Sequence, residues 1–475
     1  MRFSIFLLVA LALLLAGAEA KYSPGLEIAP GAGITFSGTA PSSTTGVLYS
    51  DSSGTLKFGD ILIGAPSFDI ICYHDGSYAY AVSMDGDKVS LITKSSDNST
   101  AINAAIAEAH GRRNGGTVTL LNMFEGISTT INMYGDVSLT GLSKRNTGMS
   151  GSADPLIIFP EMLTEHEIRD IISVSNMKIE TTGDNDGIKW WSSSIDGSWR
   201  NFYTSFKDLD LVSEGTGYLM TFYGIQNIDI SGCTFRSGYG ATGIRTDGNA
   251  TAGVQGLMVS DCEFVSLLYG IRIASTNNIN TAGFFIDHCW FIDGNDSGYA
   301  IYAIGVNDIN LLSSSVDIQK NSIYIDNCFV VRIKDNYLGD KSTTSGRSAI
   351  TIKSTNGKPS QLMIDGNWLV GYNTGKVGIN VKSTGNGMAE RLYIRDNEFS
   401  YLTTAINYSC PAQDTYSDIG IISGNAFPVC TTGVYGEGLA NALITDNTFQ
   451  GCTTPHNAVF ETGIKIKDNI NLADN

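Results

Sequence analysis

The stretch Ile228-Asp229-Ile230-Ser231-Gly232-Cys233-Thr234-Phe235 carries the pattern that decides the fold: alternating apolar residues, two turn residues, a Cys marker and another apolar residue. The same pattern returns around Cys262, Cys289 and Cys328. In later copies Asn replaces the Cys marker, at Asn336, Asn367, Asn397, Asn425, Asn447 and Asn469. Apolar residues that alternate with a period of two indicate short β-strands, and the repetition indicates that one structural unit recurs along the chain.

A second short pattern alternates with the first. It consists of Gly or Ala, an apolar residue, any residue and then a residue that is mostly apolar. It occurs at Gly243–Thr246, Gly270–Ile273, Ala349–Ile352, Gly378–Val381 and Gly463–Ile466. Successive markers are mostly 22 to 31 residues apart, and only the intervals beside Cys328 depart from this spacing. A leucine-rich repeat would need a helical half, and a propeller would need a longer period. The sequence therefore predicts an all-β solenoid, a right-handed single-stranded parallel β-helix, over residues 95–475.

The marker residues should form a vertical column, because parallel coils stack about 4.8 Å apart. A column of Asn side chains can hydrogen-bond to the backbone and to each other. The same column would hold Cys233, Cys262 and Cys289, either as buried thiols or as a disulfide-bonded pair. Cys430 and Cys452 form a second candidate pair, and the sequence leaves both pairings open.

The N-terminus has the features of a secretory signal peptide over residues 1–20. Arg2 precedes the apolar run Phe3–Ala16, and Ala18-Glu19-Ala20 fits a cleavage site. The run is shorter than the roughly 20 residues that span a bilayer, and no later segment is long and apolar enough. We therefore predict a secreted or cell-surface protein without a membrane span.

Charge excludes one class of partner. The chain has 30 Lys and Arg against 47 Asp and Glu, a net charge of −17. Nucleic-acid binding needs clustered basic residues, so no nucleic-acid partner is expected.

Upstream of the repeats, the sequence predicts a helix from Thr100 to about His110, which Asp97-Asn98-Ser99-Thr100 can cap. The strands Gly115–Leu120 and Val137–Gly141 follow. This order resembles the pectate-lyase-like superfamily over residues 95–470. The resemblance implies the β-helix fold, with an N-terminal capping helix, and a class that includes lyases, hydrolases, epimerases, tail spikes and adhesins. Asn122–Gly126 departs from the Pro-x-Gly-x-Tyr motif of many members.

Residues 21–94 are rich in Gly, Ser and Thr, and we assign them to a small β-rich N-terminal segment. Pro41–Tyr49 and Gly54–Phe58 resemble stalk segments of phage tail fibres and tail spikes, which usually trimerise. A signal peptide is unusual in such proteins, so cellular and viral origins both stay open.

The candidate binding site is an outward column of the second pattern. It is composed of polar and aromatic residues: Arg245, Arg272, Tyr302, Thr351, Asn380, Asn407, Tyr435 and Lys465. Aromatic rings stack on sugar rings, while Arg and Asn hydrogen-bond hydroxyls or carboxylates. The column therefore predicts recognition of an extracellular polysaccharide, with an ordinary solvated face as the alternative. Trp190, Trp191 and Trp199 are assigned either to a sugar platform or to the core.

Catalysis is left open between two reaction types. A glycoside hydrolase needs two nearby carboxylates, for which Asp247, Asp293 and Asp296 are the candidates. A polysaccharide lyase needs a cation beside the substrate carboxylate, for which Arg245 and Arg272 are the candidates. No metal site is predicted: Asp184-Asn185-Asp186-Gly187 is only a fragment of a Ca²⁺ loop, which leaves Ca²⁺ open as a cofactor.

A second outward column is unusually apolar for a solvent-facing surface. It reads Asp229, Met258, Phe285, Tyr324, Met363, Tyr393, Ile421 and Leu443. Either loops or further copies of the chain would cover it, and the second case predicts a homotrimer. The alternative to polysaccharide recognition is accordingly a non-catalytic spike, adhesin or surface component.

Overall fold

The computed structural model describes nineteen segments of the chain. They are residues 47–50, 56–59, 69–85, 88–112, 115–159, 172–191, 204–238, 240–248, 253–275, 281–293, 298–318, 321–340, 345–354, 361–372, 375–383, 391–409, 419–437, 441–459 and 464–472. The predicted signal peptide, Trp199 and Asp296 lie outside the described residues.

The first elements precede the regular coils. They are β1 (Val47–Ser50), β2 (Leu56–Gly59), β3 (Ile70–His74), β4 (Ala79–Asp85), β5 (Lys88–Ser95) and helix α1 (Asn98–His110). The strands β1 and β2 pair antiparallel, as do β3 with β4 and β4 with β5.

The remaining strands form three stacks, which we name faces A, B and C, and most coils contribute one strand to each. Face A contains β6 (Gly116–Leu120), β9 (Val137–Gly141), β12 (Ile172–Ser175), β15 (Thr204–Lys207), β18 (Gln226–Ser231), β21 (Gln255–Ser260), β24 (Ala282–Asp287), β27 (Asp308–Leu312), β30 (Val330–Lys334), β33 (Gln361–Asp365), β36 (Arg391–Arg395), β38 (Ile419–Ser423), β40 (Ala442–Thr445) and β43 (Lys465–Lys467). Face B contains β7 (Met123–Ile127), β10 (Gly148–Gly151), β13 (Lys178–Thr181), β16 (Asp210–Ser213), β19 (Thr234–Ser237), β22 (Glu263–Val265), β25 (Trp290–Ile292), β28 (Ser315–Ile318), β31 (Tyr337–Asp340), β34 (Trp368–Gly371), β41 (Thr448–Gln450) and β44 (Ile470–Leu472).

Face C follows face B in each coil. It contains β8 (Ile131–Asn132), β11 (Ile157–Phe159), β14 (Ile188–Trp191), β17 (Tyr218–Tyr223), β20 (Thr242–Gly248), β23 (Tyr269–Ser275), β26 (Tyr299–Ile304), β29 (Asn321–Asp326), β32 (Ser348–Ser354), β35 (Val377–Ser383) and β42 (Thr454–Val459). The long strands β37 (Glu398–Ser409) and β39 (Ala426–Glu437) run from face B into face C. All pairings between coils are parallel, for example β18 with β21 and β21 with β24. The chain is thus a right-handed parallel β-helix, as the sequence predicted.

The N-terminal elements attach to the first coil. Strand β3 pairs in parallel with β6, so β3 is hydrogen-bonded to face A. The Asp97 side chain accepts a hydrogen bond from the Ser99 backbone N–H, and α1 begins there. Ile102 and Ile106 of α1 are fully buried in the hydrophobic core.

The core is built from inward columns, meaning residues at equivalent positions of successive coils. Phe235, Phe264 and Phe291 stack with ring centroids 4.7 and 4.6 Å apart and nearly parallel planes. This stack explains the Gly of the second sequence pattern. A Cβ on Gly270 would lie 2.7 Å from the Phe291 ring and 2.7 Å from a backbone oxygen. At residue 270, any side chain would therefore clash with the Phe291 ring and the backbone of the next coil.

A hydrogen-bonded Asn ladder runs along the junction between faces A and B. The Oδ1 atom of Asn397 accepts from the backbone N–H and the Nδ2 of Asn367, both at 2.9 Å. Its own Nδ2 donates to Ile364 O and to Asn425 Oδ1, each at 3.0 Å. Equivalent bonds join every neighbouring pair from Asn336 to Asn469. The ladder thus satisfies buried polar groups in each coil it crosses.

The sequence assigned one marker wrongly. Ser314, not Cys328, occupies the marker column between Cys289 and Asn336: its Oγ accepts from Cys289 N–H, and its N–H donates to Asn336 Oδ1. These steps of 25 and 22 residues restore the regular interval. Cys328 follows β29 of face C and is buried elsewhere in the core.

The stacked cysteines are thiols. None of the seven described cysteines is in a disulfide, including Cys233, Cys262, Cys289, Cys430 and Cys452. Cys262 Sγ lies 3.1 Å from Ser260 O, within range of a weak S–H hydrogen bond. Burial raises the pKa of the Cys328 thiol to about 12, so this group is unreactive in the folded protein.

The ladder predicts a large effect for one amide. We expect Asn397→Ala to lower the free energy of unfolding by about 3 kcal/mol, because it leaves several buried donors and acceptors without partners. Denaturant unfolding measures the difference. The control is Asn457→Ala, which removes an exposed amide and should change the value by less than about 0.5 kcal/mol. Equal stability of the two variants would contradict the role assigned to the ladder.

Candidate functional site

The predicted polar column exists on face C, with two corrections. Pairing places Lys189, Thr221, Arg245, Arg272, Tyr302, Tyr324, Thr351, Asn380, Asn407, Tyr435 and Asn457 one above another. Tyr324 thus belongs to this column and not to the apolar one. Lys465 does not belong to it, since it pairs with Leu443 on face A.

The two corrections have separate origins. The sequence pattern treated Ile323–Val330 as a face A strand because Cys328 resembles a marker, whereas the face A strand of that coil is β27, which ends before Ser314. Lys465 was misassigned because Gly463–Ile466 resembles the second pattern, although Lys465 lies in β43 of face A, shortly before the Asn469 marker.

The first cluster of the site joins two arginines through one carboxylate. Arg245 Nε donates to Asp247 Oδ2 at 2.6 Å, and Arg272 Nη1 donates to Asp247 Oδ1 at 3.1 Å. The Arg245 guanidinium also lies 4.3 Å from the ring centroid of Tyr218. Both arginines are partly exposed. The two guanidinium groups share the Asp247 carboxylate, and the carboxylate of Asp186 also lies close enough to interact with Arg245.

Asp247 is therefore a poor candidate for a hydrolytic acid or base. Both of its oxygens accept hydrogen bonds from guanidinium groups, so neither is free to contact a substrate. The other candidate, Asp293, is exposed in the turn after β25. The nearest carboxylate in the Asp247 column is Asp326, three coils away, which is roughly 14 Å at the spacing of parallel strands. A glycosidase pair needs about 5 to 9.5 Å.

A tyrosine cluster follows the arginines. The rings of Tyr302 and Tyr324 stack with centroids 5.0 Å apart, and Tyr269 and Tyr299 pack around them. The Tyr324 hydroxyl donates to Asp326 Oδ2 at 3.1 Å. Burial and the charge of Asp326 raise the pKa of Tyr324, so the phenol stays protonated. These rings face each other more than they face solvent.

Asp326 is the residue that the sequence reasoning missed. Its surface is only 8% exposed, and Lys353 Nζ lies 3.7 Å from its carboxylate. It sits two residues after Tyr324, in the column that also contains Asp247. The alternation of the strand, once Ile323–Asp326 is assigned to face C, would have found it.

Amide and hydroxyl groups continue the column beyond the tyrosines. Asn407 Nδ2 donates to Asn380 Oδ1 at 2.9 Å. Thr351 precedes this pair and Tyr435 follows it. These side chains form a neutral, polar extension of the charged clusters.

The paired tryptophans have opposite environments. Trp190 is fully buried and stacks on Phe159 in the core, which excludes it from a sugar platform. Trp191 points outward, is 39% exposed, and stacks on Tyr223 with centroids 4.1 Å apart. A depression of about 320 Å³ beside it is lined by Ile158, Phe159, Lys189 and Trp191. Because Lys189 lies in the column of Arg245, this depression is part of the same face C stripe.

Asp184 and Asp186 act as turn residues. Asp184 Oδ1 accepts from Thr216 N–H and Oγ1, and Asp186 Oδ1 accepts from Tyr218 N–H. Burial raises the pKa of Asp186. Among the described residues, no three His, Cys, Asp or Glu side chains are placed to hold a metal ion.

The apolar flank on face A is interrupted. Met258 and Phe285 stack in adjacent coils and are exposed. Asn310 and Arg332 follow them, and Arg332 is paired with Asp308 at 3.2 Å. Met363 and Tyr393 then resume the column, half-buried. The flank is thus two apolar patches with a polar step between them, where the sequence had placed Tyr324.

The fold and the stripe define the chain as a right-handed parallel β-helix protein with a polar, cationic face. No family model matches it, and no curated protein matches it. Similar structures include tailspike protein 3 of bacteriophage CBA120 (TM-score 0.43, 11% identity, 78% of this chain and 59% of that chain). The chain thus spans about three fifths of that tailspike.

Two further structures are similar. One is the mannuronan C-5 epimerase AlgE4 A-module of Azotobacter vinelandii (TM-score 0.39, 14% identity, 78% of this chain and 96% of that chain). The other is tailspike protein gp49 of Acinetobacter baumannii bacteriophage Fri1, a capsular polysaccharide depolymerase (TM-score 0.34, 12% identity, 80% and 60%). These scores are low, so function has to be derived from the chain's own residues. In the described part of the chain, no helix is long and apolar enough to cross a membrane.

The two neighbouring tryptophans provide a matched pair of substitutions. We expect Trp190→Ala to lower the free energy of unfolding by about 3 to 5 kcal/mol, because it opens a cavity in the core. Trp191→Ala should cost less than about 1 kcal/mol, since its ring is partly solvated. Denaturant unfolding followed by circular dichroism measures both. A comparable loss in the two variants would contradict the inward and outward assignments.

Proposed function

We propose that the protein is exported and that face C binds an acidic extracellular polysaccharide along the axis of the β-helix. The observation that carries the proposal is the cluster in which Arg245 and Arg272 share Asp247 on the outside of adjacent coils. The two guanidinium groups are fixed in place by this carboxylate and partly exposed. A guanidinium recognises a carboxylate or sulfate group with two parallel hydrogen bonds.

The rest of the column supports a polymer over a small molecule. Lys189 and Trp191 lie on one side of the arginines, while Asn380, Asn407 and Tyr435 lie on the other. The coils repeat about every 4.8 Å, close to the length of a sugar residue in an extended chain. A polysaccharide parallel to the axis would meet one residue of the column at each step.

Binding is the activity that the geometry supports best, and lyase chemistry has one candidate position. In β-elimination, a base removes the proton at C5 of a uronate while the C4–O4 bond breaks and a C4–C5 double bond forms. Asp326 would accept that proton, and the protonated Tyr324 hydroxyl would donate to the departing O4. Lys353, whose Nζ lies 3.7 Å from the Asp326 carboxylate, would bind the carboxylate of the same uronate. Arg272 lies two coils from Tyr324 and would bind a neighbouring uronate of the chain.

Substitution of the arginines tests the proposal. We expect Arg245→Ala and Arg272→Ala each to weaken binding to polygalacturonate roughly tenfold, a change of about 1.4 kcal/mol. Binding should also fall as salt screens the charges. Affinity electrophoresis in gels that contain the polymer measures both effects.

The matched control is Lys334→Ala, which removes an exposed cation paired with Asp335 on face A and should leave binding unchanged. Polymer binding that is equal in the wild type and both face C variants would refute the proposal. Incubation with the polymer separates binding from cleavage. An ultraviolet-absorbing unsaturated product, lost in Asp326→Asn, would identify a lyase.

A second candidate function, a trimeric structural spike, is favoured by the exposed pair Met258 and Phe285. These side chains are large, apolar and adjacent on a rigid flank. Exposed apolar patches of this kind mark sites of protein association. In this proposal, three copies pack face A against one another.

The mass in solution tests the trimer. We expect light scattering to give three times the chain mass, and Met258→Glu with Phe285→Glu to give the monomer, because both charges would be buried without partners. Val429→Glu, at an exposed apolar residue of β39 outside face A, should leave the mass unchanged. A monomeric wild type would exclude this function and would leave polysaccharide binding unaffected.

A further inference from the structure

Exposed aromatic side chains concentrate on face B, away from the cationic stripe. One outward column of this face reads Glu263, Trp290, Ser315, Tyr337, Trp368 and Glu398. Trp290 and Trp368 are 52% and 49% exposed. Tyr372, after β34, and Tyr401, in the next coil, are 51% and 64% exposed.

The rings around Trp368 are held in fixed positions. The Tyr337 and Tyr372 hydroxyls are 2.5 Å apart and share a hydrogen bond. The rings of Tyr337 and Trp368 meet edge to face, with centroids 5.3 Å apart and an angle of 70° between the planes. Gly339 leaves space for this arrangement, since a Cβ there would lie 2.9 Å from the Tyr337 hydroxyl. A side chain at residue 339 would displace the Tyr337 phenol. The rings of Tyr337, Trp368 and Tyr372 are thus already arranged before any ligand binds.

Faces B and C differ in how far their aromatic rings are covered by neighbouring side chains. On face C, Tyr302 and Tyr324 stack on each other with nearly parallel planes, and Trp191 stacks on Tyr223. On face B, Ser315 lies directly above Trp290 and covers little of the indole. Aromatic surface that is open to a sugar ring is therefore found mainly on face B among the described residues.

The charges on face B determine which class of ligand can bind there. Carboxylates flank the aromatic residues: Glu263 and Glu398 at the ends of the column, and Asp317 beside Gly339. The described column has no cation between Glu263 and Glu398. An acidic glycan would be repelled here, as would a second copy presenting the same carboxylates, in a chain with a net charge of −17. The hydroxyls of an uncharged sugar, by contrast, donate well to carboxylates.

We propose that Trp290, Tyr337, Trp368, Tyr372 and Tyr401 form a second carbohydrate-binding surface, specific for an uncharged glycan. The C–H faces of the sugar rings pack on the indoles, and the flanking carboxylates accept hydrogen bonds from hydroxyl groups. From Trp290 to Trp368 the surface extends over three coil steps, roughly 14 Å, which accommodates a short run of consecutive sugar residues.

Isothermal titration of the purified protein with uncharged hexasaccharides of glucose, mannose and xylose tests this proposal. We expect at least one to bind, and Trp368→Ala and Tyr372→Ala each to weaken that binding roughly tenfold. Both side chains are about half exposed, so the variants should keep the melting temperature of the wild type. Two controls should bind as the wild type does: Phe329→Ala, an exposed aromatic residue before face A, and Arg272→Ala on face C.

Three results would overturn the proposal. The first is that none of the hexasaccharides binds at millimolar concentration. The second is that Phe329→Ala or Arg272→Ala weakens binding as much as Trp368→Ala, which would place the glycan elsewhere. The third is a dimer that Trp368→Ala dissociates, which would show that a second copy covers face B. None of them bears on polygalacturonate binding by face C, so the two sites succeed or fail separately.

Discussion

Parallel hydrogen bonds fix each residue about 4.8 Å above its equivalent in the previous coil. The nearest neighbour of a side chain is then usually the equivalent side chain of the next coil. The residues of one column must therefore be able to contact one another favourably. Asn satisfies this condition because one amide donates and accepts at once, and Phe satisfies it because rings stack. Arg does not, since like charges at this distance repel. Arg245 and Arg272 occupy adjacent coils because Asp247 lies between them and binds both.

The same constraint turns the outside of the molecule into rows of regularly spaced groups. A small ligand would use only a few of them, whereas an extended polymer can meet one at each coil. Rigidity adds to the effect, because strands that are paired on both sides lose little further freedom when a ligand binds. The stripe on face C therefore suits a polymer for reasons of spacing as well as of charge.

The sequence predicted the features that repeat and failed where the repeat changes. The Asn markers predicted the ladder, because a buried amide column has few substitutes. Ser314 was not predicted as a marker, because the pattern expected Cys or Asn, although Ser314 hydrogen-bonds to the markers of both neighbouring coils. Cys328 was taken as the marker in its place. That error moved Tyr324 to the wrong face, whereas Lys465 was misplaced because Gly463–Ile466 resembles the second pattern although Lys465 belongs to face A. It also hid Asp326, whose position is meaningful only once its strand is assigned.

Trp190 and Trp191 show a second limit. Adjacent strand residues point to opposite sides, so one of them had to be buried, but the parity of an irregular strand cannot be read from two identical side chains. Partner strands decide it: Trp190 pairs with Phe222 and Phe159, both in the core. The exposed aromatic residues of face B were not predicted from the sequence, for a related reason. They are contributed singly by separate coils, at no conspicuous spacing in the sequence.

A net charge of −17 does not conflict with an acidic ligand on face C. At physiological ionic strength, charges are screened beyond about 8 Å, so a polymer responds chiefly to the groups it approaches closely. Those groups are Arg245 and Arg272 on face C, and carboxylates on face B. Side chains along a strand point alternately inward and outward, so the outward columns do not contact the core. Faces B and C can therefore carry opposite charges without altering the fold. Under both proposals, the charges on each face decide the class of ligand, and the total charge of the chain does not.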